Sequence, residues 1–120
     1  MPKGVTVISN ELKNEIIEFL KPLNPHKIIL FGSHAYGKPG KDSDIDLYVV
    51  TSDSFMPQTY KERAQLSLRT AQLLQDINKR YSIDVITHSR PMHQAFKDLD
   101  SMFCRKILQE GVVLYEENGG

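Results

Sequence analysis

The sequence has no tryptophan, a single cysteine and no excess of charge of either sign. One cysteine cannot close a disulfide within the chain, which excludes a disulfide-stabilised scaffold and favours a reducing compartment. Lys and Arg together number 15, Asp and Glu together also number 15, and no basic run exceeds two residues. This balance argues against direct nucleic-acid binding. We find no signal peptide and no apolar stretch near the roughly 20 residues of a membrane helix, so we expect a cytoplasmic protein.

Length and apolar patterning predict one mixed domain. The 120 residues suffice for a single domain over residues 1–120 with a modest core. Predicted strands are Lys27–Phe31, Asp44–Thr51, Tyr81–Thr87 and Val112–Tyr115; predicted helices begin at Ser9 or Asn10, run from about Gln58 to Arg80, span Met92–Leu99, and begin again after Asp100 or Ser101. This alternation predicts an α/β (α+β) fold, with a sheet of about four strands flanked by helices. The unbroken apolar run of the first strand predicts cover on both of its faces.

The long predicted helix carries an apolar stripe that we expect to face the core. Its members, near helical spacing, are Tyr60, Ala64, Ser67 or Leu68, Ala71, Leu74 and Ile77. The charged run over residues 61–63 is expected on the solvated face. In the last helix, Cys104 lies in an apolar pattern, and we expect a small buried hydrophobe there.

Two carboxylates at the start of the second predicted strand indicate a metal site. Alternate residues of a strand share a face, so Asp44 and Asp46 would point the same way, roughly 7 Å apart along the chain. Adjacent carboxylates repel each other, and one tends to stay protonated unless a cation lies between them. Hard oxygen ligands without His or Cys suit Mg²⁺, or Mn²⁺, better than zinc. Taken alone, Asp-x-Asp after a Gly- and Pro-rich loop is more typical of a solvated turn.

Gly32-Ser33 follows the first strand directly, and ten residues separate Ser33 from Asp44. Gly32 has no side chain to keep a ligand away from the backbone, and Ser33 offers a hydroxyl and an N–H group. Phosphate oxygens that bridge a metal to such N–H groups would explain the pairing with the carboxylates. His34, Lys38 and Lys41 could also contact phosphate, although solvated side chains are the simpler interpretation of all three. A short helical turn over residues 34–37 would face the same pocket.

Two other nucleotide-binding motifs are excluded. Gly32-x4-Gly37-Lys38 resembles the start of a P-loop, but Pro39 occupies the Ser/Thr position that should meet the metal and lacks the N–H that a following helix needs. No Gly-x-Gly-x-x-Gly run opens a helix after a strand, so a dinucleotide site of the Rossmann type is not predicted.

A third acid, Asp84, lies in the apolar third strand, where an unpaired charge is costly. It either pairs in a salt bridge at a strand edge or faces a site, and a third metal carboxylate is the economical interpretation. His26, His88 and His93 are far apart in sequence and have no metal-ligand spacing.

Together, these residues resemble the DNA polymerase β-like nucleotidyltransferase superfamily. Its motif is Gly-Ser, ten residues and Asp-x-Asp, which Gly32, Ser33, Asp44 and Asp46 match; the wider pattern of small members is also met by Ala35, Gly37, Ser43, Ile45 and Leu47. The resemblance spans nearly the whole chain and is closest to the minimal nucleotidyltransferases, which are stand-alone catalytic domains. It implies a mixed sheet with the acids clustered on one side.

The resemblance implies a catalytic site with named roles. Asp44 and Asp46 would hold two Mg²⁺ ions about 4 Å apart, with Asp84 as ligand of the second. Gly32 and Ser33 would bind the outer phosphates of a nucleoside triphosphate, which we expect to be ATP. The enzyme would move a nucleoside monophosphate to a hydroxyl acceptor and release pyrophosphate.

The resemblance also implies a partner. Minimal nucleotidyltransferases commonly accompany a small all-helical HEPN protein in toxin–antitoxin pairs, and can adenylylate a tyrosine of that partner to silence an RNase. We therefore expect an antitoxin that modifies a HEPN-type toxin on a separate chain. The alternatives are an antitoxin module that acts by complex formation with little catalysis, and a catalytic subunit for a small-molecule acceptor.

Overall fold

A computed structural model describes residues 8–35 and 44–117. The helices are α1 (Asn10–Leu20), α2 (Tyr60–Leu73), α3 (Gln75–Asn78), α4 (Arg90–Leu99) and α5 (Met102–Arg105), with a 3₁₀ turn at Lys21–Leu23 and a π-helical turn at Lys106–Glu110. The strands are β1 (Lys27–Phe31), β2 (Ile45–Val50), β3 (Ile83–His88) and β4 (Val112–Glu116). The expectations for Gly37, Lys38, Lys41 and Ser43 lie outside the described residues, as do two of the four residues of the turn predicted over residues 34–37.

The four strands form one mixed sheet in the order β3-β2-β1-β4. β1 is antiparallel to both of its neighbours, whereas β2 and β3 run parallel. Parallel neighbours need a crossover, and α2 and α3 supply it between β2 and β3. β3 and β4 are therefore the edge strands, and β4 takes the edge position expected for the last strand. The predicted mixed four-stranded sheet with helical cover is confirmed.

Apolar residues fill both faces of the sheet. On one face, the side chains of α1 and of the α2–α3 segment pack on Ile28, Leu30, Leu47 and Val49. On the other face, Ile107 and Phe96 pack against a smaller cluster built on Ile29, Tyr48 and Val50. The continuous apolar run of β1 is buried between these two layers, as expected from its lack of alternation.

Side-chain caps fix the helix starts that position the sheet. Ser9 accepts a hydrogen bond from the backbone N–H of Leu12 at 3.0 Å, so the first helix begins where the sequence predicts. Ser101 caps the last helix in the same way, through the N–H of Cys104. Cys104 is buried, as expected.

Several boundaries differ from the prediction. The long helix breaks at Leu74, whose backbone leaves the helical region, so that α3 is a separate turn. β2 begins at Ile45, with Asp44 immediately before it, and β3 begins at Ile83 rather than Tyr81. Strand pairing sets these limits, because β3 becomes a strand only where it hydrogen-bonds β2.

The predicted apolar stripe of the long helix is wrong in its first half. Tyr60, Ala64, Leu68 and Ala71 are exposed, and the buried positions of α2 are Leu66 and Thr70. In its second half the stripe is correct, since Leu74 and Ile77 are buried. Within the described ranges, no helix combines the length and apolar character needed to cross a membrane.

Candidate active site

Two of the predicted acids face each other across neighbouring strands. Asp46 on β2 is the register partner of Asp84 on β3, and Phe31 at the end of β1 is the partner of Asp46 on its other side. Asp44 directly precedes β2 and is exposed. Parallel pairing thus brings together carboxylates that are 38 positions apart in sequence, at the edge of the sheet where β2 and β3 begin.

The surroundings of Asp46 raise the pKa of its carboxyl group. Partial burial raises the pKa of Asp46, and the negative charges of Asp84 and Asp44 raise it further, while His34 acts in the opposite direction. The carboxylates therefore lie close enough to repel one another, and His34 lies close enough to offset part of that repulsion. A cation between them would offset the repulsion that contributes to the raised pKa of Asp46.

The lack of a side chain at Gly32 leaves room for the Asp46 carboxylate. The backbone of Gly32 is left-handed, with φ of 77°, and a Cβ atom built on it would lie 2.1 Å from Oδ2 of Asp46. A side chain is therefore excluded here by backbone conformation and by contact with the carboxylate. The N–H of Ala35 donates to the Gly32 carbonyl at 3.0 Å, which closes a turn over Ser33 and His34 beside the acids. The Gly-Ser end of β1 and the carboxylates of β2 and β3 thus form one site.

The residues present fit a hard divalent cation. Their donors are carboxylate oxygens, which suit Mg²⁺ or Mn²⁺. In the described parts of the chain, no three His, Cys, Asp or Glu side chains lie close enough together to hold a metal ion, so the three acids are in an open arrangement. Electrostatic repulsion between three unneutralised carboxylates favours such an open arrangement. Asp44, Asp46 and Asp84 are therefore the residues that could hold the metal, and Gly32 and Ser33 are those that could approach a phosphate.

Asp84 lies in the third strand, as predicted, but the expectation of a costly charge among apolar residues is wrong. Asp84 is exposed, because β3 is an edge strand and Asp84 is only its second residue. Its charge therefore carries little desolvation cost. What supports a functional role is its register opposite Asp46.

A buried hydrogen-bond network behind the acids was not predicted. Tyr48, two residues after Asp46 and on the same face of β2, is fully buried. Its hydroxyl lies 2.9 Å from Nδ1 of His88 and 2.7 Å from Nδ1 of His93. Phe96 stacks on the Tyr48 ring at a centroid distance of 5.2 Å. The sequence separations of 40 and 45 residues gave no local signal of this cluster.

The donors and acceptors of this hydrogen-bond network can be assigned. A phenol has one proton, so Tyr48 donates to one imidazole and accepts from the other. Nε2 of His93 is buried and has no hydrogen-bond partner among the described residues. A buried unpaired N–H is rarer than a buried unpaired acceptor. We therefore assign the proton of His93 to Nδ1, which donates to Tyr48, while Tyr48 donates to Nδ1 of His88.

Burial keeps both imidazoles neutral. It lowers the pKa of His88 to about 4, assisted by the positive charge of Arg63. It likewise lowers the pKa of His93 to about 4, with a smaller effect from Lys97. Burial also raises the pKa of Tyr48 well above its ordinary range. The network is therefore uncharged at neutral pH, and no charge from it acts on the carboxylates.

Several solved toxin–antitoxin structures have a similar fold. A toxin–antitoxin structure with AMP-PNP aligns with a TM-score of 0.55 and 22% identity, covering 88% of this chain and 74% of the other. A mutant of the toxin–antitoxin pair MntA–HpeT aligns at 0.52 and 24% identity, covering 92% and 76%. A second mutant of that pair aligns at 0.52 and 20% identity, covering 88% and 74%. At these identities the likeness establishes the fold.

No protein with a curated description matches the chain. A family model does: the model described as polymerase beta, nucleotidyltransferase, matches residues 14–119. That span runs from α1 beyond β4 and includes the Gly32-Ser33 turn and all three acids. The chain belongs to the polymerase beta nucleotidyltransferase family.

Proposed function

We propose that the protein is a Mg²⁺-dependent nucleotidyltransferase that moves AMP from ATP to a hydroxyl of a small, all-helical HEPN-type toxin, and so acts as its antitoxin. The observation that carries this proposal is the register of Asp46 opposite Asp84, beside Asp44 and the Gly32 turn. Family membership supports the nucleotidyl transfer. The toxin–antitoxin complexes of similar fold, one of which contains AMP-PNP, support the kind of partner and nucleotide. We place the reaction in the cytoplasm and assign it to a single domain over residues 1–120.

The three carboxylates would hold the metal. Asp44 and Asp46 would share two Mg²⁺ ions, and Asp84 would bind the second from the neighbouring strand. When bound, such ions neutralise phosphate charge and lower the pKa of an acceptor hydroxyl. The raised pKa of Asp46 supports this assignment, because it arises from burial and from like charges that a divalent cation would offset.

The turn after β1 would position the triphosphate. Gly32 lets the backbone pass within contact distance of Asp46, so phosphate oxygens bound at Ser33 would lie next to the carboxylates. The Ser33 hydroxyl and N–H are donors that suit phosphate oxygens. His34 lies on the same side, close enough to act on the Asp46 carboxylate.

The transfer itself breaks one bond and forms one. The acceptor oxygen bonds to the α-phosphorus of ATP, and the bond from that phosphorus to the β-phosphate bridge breaks. Pyrophosphate leaves with the electron pair, and the hydroxyl proton is released. Asp84, exposed at the sheet edge, would be the carboxylate nearest to an incoming acceptor.

Isotope position tests the proposal. The chain would be incubated with Mg²⁺, its co-purified helical partner, and ATP labelled with ³²P at either the α- or the γ-phosphate. We expect label on the partner from α-labelled ATP alone, and none with Asp84→Asn. Label from γ-labelled ATP would indicate a kinase. A stable complex that takes up no label would indicate an antitoxin that acts by complex formation.

A further inference from the structure

We propose that the groove between α2 and β3 binds an extended, acidic segment of the acceptor protein and brings its hydroxyl to Asp84. This inference rests on the proposed function, because it names the surface on which the acceptor of that reaction would dock. It concerns residues that the metal and phosphate assignments leave unused.

The groove is an open depression of about 560 Å³ along the outer edge of the sheet. Its helical wall is formed by Tyr60, Arg63, Ala64, Ser67, Leu68 and Ala71, and its strand wall by Ile83, Asp84 and Val85. β3 is an edge strand, so no further strand covers this side. One of the three site carboxylates therefore forms part of the groove wall, and an occupant of the groove would touch the reacting end of the site.

The helical wall is an apolar face without cover. Tyr60 is 87% exposed and Leu68 is 55% exposed, while Ala64 and Ala71 are also exposed. Their spacing is that of a helix face that packs against another element. The opposite face of the same helix already packs on the core through Leu66 and Thr70. An apolar helical face that lines a groove is typical of an interaction site.

Charge in the groove favours an acidic occupant. None of the ion pairs formed among the described residues includes Arg63. Once a divalent cation binds Asp84, Arg63 is left as the uncompensated charge of the groove wall. Complementary charge raises the association rate and excludes partners of the wrong sign. A segment with carboxylates around its hydroxyl residue matches this wall.

The shape of the surface favours an extended protein segment. Tyr60 and Arg63 also line a second depression of about 230 Å³, whose other walls are Pro57, Gln58 and Thr59. These two side chains thus form a ridge between a larger and a smaller depression. A peptide crossing the ridge would occupy both, with its hydroxyl residue on the Asp84 side.

The test uses two fluorescent peptides. One has a tyrosine flanked by two glutamates on each side, and the other has lysines in their place. Binding to the full chain with Mg²⁺ and a non-hydrolysable ATP analogue is followed by fluorescence anisotropy. The variants are Arg63→Glu and Leu68→Glu, and Leu99→Glu is the control, because Leu99 is 75% exposed on α4, outside the groove. The thermal midpoint with and without Mg²⁺–ATP is measured for each variant.

We expect the acidic peptide to bind about tenfold more tightly than the basic one, which corresponds to about 1.4 kcal/mol. Arg63→Glu should reverse this preference, and Leu68→Glu should weaken both peptides about tenfold, whereas Leu99→Glu should change neither. Equal binding of the two peptides, no binding of either, or equal effects of Leu68→Glu and Leu99→Glu would overturn the proposal. So would loss of the ATP-dependent midpoint shift in Arg63→Glu and Leu68→Glu, since the groove would then belong to the nucleotide.

Failure of the proposed function gives a different result. In that case the partner takes up no label from α-labelled ATP, while Mg²⁺ at Asp84 still leaves Arg63 uncompensated and the charge preference of the groove persists. The docking surface would then stand without the transfer reaction.

Discussion

Asp46 and Asp84 are direct register partners on two parallel strands, with Gly32 packed against the carboxylate of Asp46. The negative charges of these two carboxylates repel each other, and Asp46 is partly buried, so the arrangement costs stability. This electrostatic cost indicates a ligand-binding site. Removal of the Asp46 charge should therefore raise stability and lower activity.

Asp46→Asn should make the metal-free protein more stable at pH 7. The pKa of Asp46 is raised in the folded state, so its ionised form is disfavoured there and its unfavourable contribution grows as pH rises through the folded pKa. Asparagine removes the charge and keeps the shape. Thermal unfolding in a chelator should show a higher midpoint, and Mg²⁺-dependent ATP turnover should be lost. Asp98→Asn, an exposed acid on α4, is the control and should change neither. A lower midpoint for Asp46→Asn would show that the acids are held by stabilising contacts.

Gly32→Ala should cost stability and activity together. An alanine at φ of 77° is strained by about 1–3 kcal/mol, and its Cβ would displace the Asp46 carboxylate. Urea unfolding and ATP turnover measure the two effects. Asn24→Ala is the matched control, since Asn24 has φ of 46° but lies in the turn after α1. It should lose comparable stability and keep turnover. Equal turnover in the two variants would argue against a steric role of Gly32 at the site.

Stability should fall as pH falls from about 6.5 to about 4. The pKa values of His88 and His93 are both about 4 in the folded protein, below the ordinary 6.5, so the unfolded chain binds more protons in this window. Carboxyl groups with lowered pKa, such as Asp53, act only at lower pH. The raised pKa of Asp46 acts in the opposite direction, but it is one group against two imidazoles. Urea unfolding at a series of pH values should show this decline, which should be smaller in His93→Gln. A profile that is flat from pH 6.5 to 4 would show that the imidazoles are not buried neutral groups.

Tyr48→Phe should destabilise the fold without removing the metal site. The change retains the ring that stacks on Phe96 but leaves the Nδ1 atoms of His88 and His93 without their shared partner. A buried polar group left unsatisfied costs about 1–3 kcal/mol. Urea unfolding should detect a loss of that size, while Mg²⁺–ATP should still raise the thermal midpoint. No loss of stability would mean that both imidazoles find other partners.

The features formed by residues close together in the chain were predictable from the sequence. β1 reads as a continuous apolar run, and its Gly32-Ser33 end and Asp44-x-Asp46 are close in the chain, so their meeting requires only one turn. The pairing of β3 with β2 is different, because the Asp46–Asp84 register depends on a crossover through α2 and α3. Sequence pattern indicated that Asp84 belonged with the other acids but misjudged its burial.

The long helix shows where pattern alone fails. It carries two apolar stripes with the same spacing: one is Tyr60, Ala64, Leu68 and Ala71, and the other is Leu66, Thr70, Leu74 and Ile77. Periodicity cannot decide which stripe meets the sheet, since both satisfy it. In the structure the second stripe is buried and the first is exposed, and the helix breaks at Leu74. The Tyr48 network depends on the same kind of long-range packing.

The most direct test is a titration of the chain with ATP, with and without Mg²⁺, followed by thermal midpoint. A ligand at 100 times its dissociation constant adds about 2.7 kcal/mol to the free energy of unfolding. We predict a Mg²⁺-dependent rise for the wild type that disappears in Asp44→Asn and in Asp46→Asn, although both variants remain folded. An equal rise in these variants, or one that does not require Mg²⁺, would contradict the assignment of the three carboxylates as a metal–nucleotide site.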